Sequence, residues 1–241
     1  MTTMRPITLI MNAYNEAETI ENEVRSFHEN IISKIPGSQF IIAEDGSTDG
    51  TSEILERLAS EIGIIHSTSK ERKGYTKALK DAFKLAKTSY IFFSDSGGKH
   101  NPQDFWKLYP FCKSNDLVIG VKTSRNDQWY RKLLTWAYNL LLSYYFGVKL
   151  SDADSGFRIY SKRAVDKIFN EEWINKELIA SEITLRAVFS GFTVKETPIS
   201  YNQRKGESRG LPLKKIPSVI IRVLFNFPKL KNELNSREYK K

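Results

Sequence analysis

Three short apolar runs, Ile7 to Met11, Gln39 to Ala43 and Tyr90 to Ser94, each break off at a cluster of polar residues, and stretches of helical period separate them. This alternation is the feature that most restricts the fold. Ala17 to Ile32 places Ile20, Val24, Phe27 and Ile31 on one side of a helix. The loop EDGSTDGT caps a second helix over Ser52 to Ile62, Ile64 to His66 reads as a short strand, and Thr76 to Ala86 as a third helix. Strand followed by helix, repeated, predicts a mostly parallel sheet with helices on both faces. Ligands of such sheets bind beyond the carboxyl ends of the strands. Asn12 to Glu16, Glu44 to Asp49 and Asp95 to His100 all fall at those ends.

The second half is less regular. Asp116 to Val121 and Thr193 to Ile199 read as strands, Trp129 to Phe146 as an aromatic-rich helix, SDADSGFRIY as a loop entering a strand, and Ser181 to Phe189 as a helix. Glu182 and Arg186, four apart on that helix, are expected to form an ordinary ion pair of about 0.3–0.5 kcal/mol. With 241 residues, 40 % of them apolar, the chain reads as one domain over 1–210 and a basic amphipathic extension over 211–241.

Charge sharpens that division. From Gln203 to the end there are 11 Lys and Arg against 3 Glu, so this segment carries eight of the nine net positive charges. LPLKKIPSVIIRVLFNFPKLK interleaves large aliphatics with cations, the pattern of an interfacial helix rather than a nucleic-acid arm. Trp129, Trp136, Tyr138, Tyr144 and Tyr145 suit the aromatic helix to the same interface, packing on the sheet being the alternative. No apolar run is long enough to span a bilayer and no signal peptide is evident, so the expected location is the cytoplasmic face of a membrane, bound peripherally. One cysteine, Cys112, and three scattered histidines exclude a disulfide framework and a Cys- or His-based zinc site.

Familiar phosphate and nucleophile motifs are missing. NAYNEAE stands where a dinucleotide site needs G-x-G-x-x-G, and neither a P-loop nor a G-x-S-x-G elbow occurs. Carboxylates at strand ends remain, suited to holding a nucleotide or a divalent metal. Tyr14 and Asp45 are placed to meet a base, with a core aromatic and a turn-capping aspartate as the plain alternatives.

ITLIMNAYNEAETI, FIIAEDGSTDGTSEIL, KGYTKALKDAFKLAKTSYIFFSDS, DLVIGVKTSRND, SDADSGFRIY and SEITLRAVFSGFTVKETPISYNQRKGES follow one another in an order that resembles the family 2 glycosyltransferases of GT-A fold. The later blocks look most like the dolichyl-phosphate mannosyltransferase branch, which hexosylates polyprenyl phosphates. The resemblance implies a single Rossmann-like GT-A sheet and a donor pocket of Ala13, Tyr14, Glu16, Glu44, Asp45, Asp95, Ser96 and Arg204. Glu44 stands where the family has a first aspartate. Asp95 matches the first carboxylate of the family's D-x-D and is the expected ligand of a Mg or Mn ion on the diphosphate. Gly97 replaces the second aspartate, and Lys99 stands where glutamine is common.

In SDADSGFR, Asp154 replaces the usual threonine, and Asp152 is the candidate base or acceptor-positioning group. Lys122, Arg125 and Arg131 form a candidate acceptor-phosphate group, joined by Ser208 from the R-x-x-G-x-S stretch that begins at Arg204. The implied activity is inverting transfer of a hexose from a GDP- or UDP-sugar to a lipid-linked phosphate, with no nucleic-acid partner and room for a separate membrane protein. A glycan hydroxyl acceptor, or a non-catalytic domain lacking the second aspartate, are the alternatives.

Overall fold

The computed structural model describes residues 4–69, 71–123, 129–174, 179–200 and 216–236. Seven strands form one sheet: β1 (Ile7–Ala13), β2 (Gln39–Glu44), β3 (Ile65–Ser67), β4 (Tyr90–Ser94), β5 (Leu117–Lys122), β6 (Phe157–Ser161) and β7 (Val194–Ile199), in the order β3-β2-β1-β4-β6-β5-β7. β1 pairs in parallel with β2 and β4, β2 with β3, and β5 with β7. β6 runs antiparallel to both β4 and β5. The start of β6 therefore lies at the same sheet edge as the ends of β1, β2, β4, β5 and β7, and the loop before it joins the candidate site.

Alternation along the strands sorts side chains onto two faces. Leu9, Met11 and Phe92 pack with Ile20, Val24 and Phe27 of α1 (Ile20–Asn30), Leu55 and Leu58 of α2 (Thr51–Ile62), and Phe105 and Leu108. Ile10, Ile91 and Phe93 pack on the opposite face with Leu79, Ala82 and Phe83 of α3 (Tyr75–Lys84) and Ile183. Elements of the first half fall within a few residues of their expected bounds. Two short helices were not foreseen: α4 (Phe105–Leu108) and α6 (Lys162–Ile168). Neither is long enough to show a period.

A third apolar cluster joins α5 (Trp129–Phe146), α7 (Ile179–Phe189) and α8 (Ile216–Leu234). Leu142, Phe146, Leu185, Val219, Val223, Phe227, Leu230 and Leu234 are among its buried residues. α8 runs past the expected amphipathic stretch, with Pro228 inside it. The aromatic set of α5 divides: Tyr145 packs on Phe227 at 5.3 Å, while Trp136 and Tyr144 are 62 % and 88 % exposed.

Glu182 and Arg186 form the expected ion pair, but its setting is not that of an ordinary exposed one. Both residues are fully buried. Arg186 donates to Glu182 Oε1 (2.7 Å), Glu171 Oε2 (2.7 Å), Glu233 Oε1 (2.8 Å) and the Glu172 carbonyl (3.0 Å). Position on one helix showed the spacing but not that α8 and the segment after α6 cover it.

Candidate active site

The ends of β1 and β2 build the first wall. Asp45 N–H donates to the Ala13 carbonyl (3.1 Å), which fixes Ala13, Tyr14, Glu44 and Asp45 side by side. Asp45 Oδ1 accepts from the N–H groups of Lys73 and Gly74, both at 2.9 Å, and its Oδ2 lies 3.6 Å from Arg72 Nε. The Arg72 guanidinium stands over the Tyr14 ring at 4.1 Å. Arg72 was not singled out in the sequence; the basic run before the helix at Tyr75 was its only signal. The buried Glu44 carboxylate bonds inside the protein, accepting from Ser47 N–H and from Thr68 Oγ1 at 2.6 Å. Glu16 is buried, and Ser96 Oγ lies 3.5 Å from its Oε1.

Asp95 follows β4 and faces the entry to β6. Its N–H donates to the Gly156 carbonyl at 2.9 Å. Its carboxylate lies against Gly156 so closely that a Cβ there would stand 1.7 Å from Asp95 Oδ2. Burial raises the Asp95 carboxyl above the ordinary range, opposed by Lys99, Lys122 and Arg158. Arg158, fully buried and unremarked in the sequence reading, holds the preceding loop. Its guanidinium donates to the carbonyls of Ser155, Ala153 (2.6 Å) and Ala180 (2.8 Å) and to Thr184 Oγ1 (2.9 Å). His100 is buried, 3.2 Å from Ser94 Oγ, and burial beside Lys122 and Lys99 pushes its imidazole down to about 3, so it is neutral.

Lys122, at the end of β5, connects the two parts of the cleft. It acts electrostatically on Asp95, and its Nζ lies 3.9 Å from Asp152 Oδ2. From there a groove of about 560 Å³ runs between β5, the loop at Leu150–Asp152 and α5. Lys122, Lys132, Asn139, Ser143, Trp136 and Leu140 are among its lining residues. Asp152 is buried, and Glu196 of β7 fixes its loop. Glu196 Oε1 accepts from the N–H groups of Ser151 (2.7 Å) and Asp152 (3.2 Å), and Oε2 from Ser151 Oγ (2.8 Å). Asn139 Oδ1 accepts from Ala153 N–H at 3.3 Å, which explains a polar residue inside the aromatic helix.

Asp154 is exposed. Desolvation by the surrounding protein, helped by Asp152 and Asp95 and opposed by Arg158 and Lys122, pushes its carboxyl up to about 6. The expected acceptor residues Arg125 and Ser208, and Arg204 of the donor set, lie outside the described residues; of Arg131 only the backbone, in α5, is described.

The donor set is short for a divalent ion. Asp95 supplies one carboxylate, and no three carboxylate, imidazole or thiolate groups converge as a metal cluster among the described residues. Position 97 offers only a backbone N–H, which donates to the buried Glu23 Oε2 at 2.8 Å. Hard cations of this kind take several oxygen ligands, so these residues do not fit a tightly held Mg or Mn.

A family model described as glycosyl transferase family 2 matches residues 8–169. Glycosyltransferase AglD of Haloferax volcanii is 30 % identical over 216 residues, 84 % of this chain; the chain spans only 34 % of that protein. Polyprenol monophosphomannose synthase of Mycolicibacterium smegmatis is 28 % identical over 218 residues, covering 84 % of this chain and 81 % of that one. Among solved structures, glucosyl-3-phosphoglycerate synthase from Mycobacterium tuberculosis in complex with Mn2+ and UDP-glucose aligns over 95 % of this chain and 79 % of its own. Its TM-score is 0.68 at 16 % identity, a likeness of fold. A mostly parallel sheet with carboxylates at its strand ends, and a family match over most of the chain, agree: the chain belongs to glycosyltransferase family 2, whose members transfer a sugar from a nucleotide-sugar donor.

Proposed function

We propose that this chain moves a hexose from a GDP- or UDP-sugar to a polyprenyl or dolichyl phosphate at a membrane surface, with inversion. The observation that carries the acceptor is the groove beside Asp152, which has Lys122 and Lys132 for a phosphate and Trp136 and Leu140 for an apolar chain. Relatives named as polyprenol monophosphomannose synthase, undecaprenyl-phosphate mannosyltransferase and dolichyl-phosphate hexose transferase support it at 28 %, 26 % and 23 % identity.

The donor base enters between Tyr14, Asp45 and Arg72, with its diphosphate directed toward Asp95. The acceptor phosphate oxygen attacks the anomeric carbon from the groove side. The C1–O bond breaks, and its electron pair leaves on the nucleoside diphosphate. A phosphate oxyanion needs no base, so Asp152 orients Lys122 and the acceptor.

α5 and α8 each turn one face into their shared cluster and the other outward. Leu133, Trp136, Leu140 and Tyr144 of α5 and Ile220, Ile221, Leu224 and Phe225 of α8 are exposed, as are Lys132, Arg222 and Lys229. Apolar side chains among cations suit an anionic bilayer. None of the described helices is long and apolar enough to cross a membrane. The chain is expected to sediment with phosphatidylglycerol vesicles and not with neutral phosphatidylcholine vesicles. F225E with L224E is expected to abolish sedimentation and slow transfer to vesicle-borne polyprenyl phosphate. Equal transfer to a soluble glycan, with no vesicle binding, would reject the lipid acceptor.

A hydroxyl acceptor is the second reading, because a carboxyl near pKa 6 at Asp154 suits a general base. The two acceptors differ in pH dependence. A base at Asp154 makes turnover rise as pH climbs through about 6 and fall away in D154N, whereas the phosphate acceptor leaves D154N near wild type. Stability moves independently of the acceptor. A carboxyl raised in the fold favours folding most while protonated, so that contribution is present below about pH 4 and is lost as pH rises through about 6. Thermal melts across that window are expected to show a slope that D154N flattens.

A further inference from the structure

We propose that in this chain the ammonium of Lys99, together with Lys122, supplies the counter-charge for the donor diphosphate that a divalent cation supplies on a D-x-D pair. The inference rests on the nucleotide-sugar reading of the site and concerns how that donor is held.

The loop after β4 is built around glycine, not around a missing carboxylate. Gly97 has φ 99°, a region that side-chain-bearing residues rarely adopt. Its N–H is tied to Glu23 Oε2 of α1 at 2.8 Å. Ser96 on one side is buried near Glu16, and His100 on the other is buried against Ser94 and Phe157, its ring 5.0 Å from the phenyl. Both ends of the loop are thus fixed, with the partly exposed Lys99 between Gly98 and His100.

Asp95 is equally fixed, its N–H on Gly156 and its carboxylate pressed to that glycine. One carboxylate cannot offset a divalent charge, and an ammonium four residues on repels such an ion. A diphosphate reverses the sign of that interaction. It brings two or more negative charges beside Asp95, on which Lys99, Lys122 and the buried Arg158 all act, with Asp152, 3.9 Å from Lys122, as the competing anion.

The chemistry balances without a metal. As the C1–O bond breaks, its electron pair settles on the β-phosphate oxygen, where a pre-positioned ammonium stabilises it. The acceptor oxygen forms the new bond to C1. No oxidant, reductant or further reactant takes part.

The test is calorimetric titration of the full chain with GDP and with UDP, in excess EDTA and in saturating Mn2+. The nucleotide that binds is expected to do so with affinities equal within about two-fold in the two conditions. K99Q is expected to weaken its binding in EDTA by about ten-fold or more, the effect of removing a charged hydrogen-bond donor, and K99R to restore most of it. Wild-type binding that depends on Mn2+, or a K99Q variant equal to wild type, overturns the inference and leaves the donor reading standing. Binding of neither nucleotide in either condition overturns both. Should K99Q fail to fold in thermal melts, the wild-type comparison with and without Mn2+ decides alone.

Discussion

An alanine at position 156 is expected to lower turnover by about 10²-fold while the protein remains folded. The added Cβ would stand 1.7 Å from Asp95 Oδ2 and 2.3 Å from its Cγ, distances no contact survives. Gly156 is not among the residues with positive φ, so its backbone accommodates alanine and the whole effect comes through Asp95. The carboxylate must swing aside by an ångström or more, and a misplacement of about 1 Å at a reacting centre costs on that scale. Overpacking adds about 1–3 kcal/mol of destabilisation, small enough for the variant to be purified and assayed. Steady-state kinetics beside a thermal melt separates the two effects. Wild-type turnover in G156A would mean that Asp95 has no part in the reaction.

The largest stability effect is expected at Arg186. R186A leaves Glu182, fully buried, without its cation, and removes the link that ties Glu233 of α8 and Glu171 to α7. Breaking one side of a buried ion pair costs about 3–5 kcal/mol. Urea unfolding followed by circular dichroism measures it. R186M with E182L, which removes charge from both sides, is expected to recover much of the loss, because two buried charges also cost desolvation. A loss below about 1 kcal/mol in R186A would show that the network does not hold α8 to the body.

These two residues also mark where sequence reading succeeds and where it stops. The G-F-R after SDADS marked a loop entering a strand, and that strand is β6. That β6 runs antiparallel between β4 and β5 leaves no local trace; its pairing with β4, which sets Gly156 against Asp95, joins residues more than 60 apart. The Glu182 and Arg186 spacing was plain, but a fourfold interval looks the same on an exposed helix as on a buried one. Arg72, Arg158 and Glu196 escaped notice for a related reason. Each acts by touching a segment distant in sequence, over Tyr14, onto Ala180, and onto Ser151.

The sequence by itself determined the parallel first half of the sheet, the strand ends at Asn12, Glu44 and Asp95, and the amphipathic character of α5 and α8. Period and turn chemistry report how a residue meets its near neighbours, and those elements depend on little else. Only the tertiary structure decided that Lys122 acts on both Asp95 and Asp152, that the Asp154 carboxyl is pushed up to about 6, and that a glycine makes room for the Asp95 carboxylate. Charge, burial and close contact depend on distances between residues far apart in the chain, and those distances exist only once the sheet has formed and the helices have closed over it.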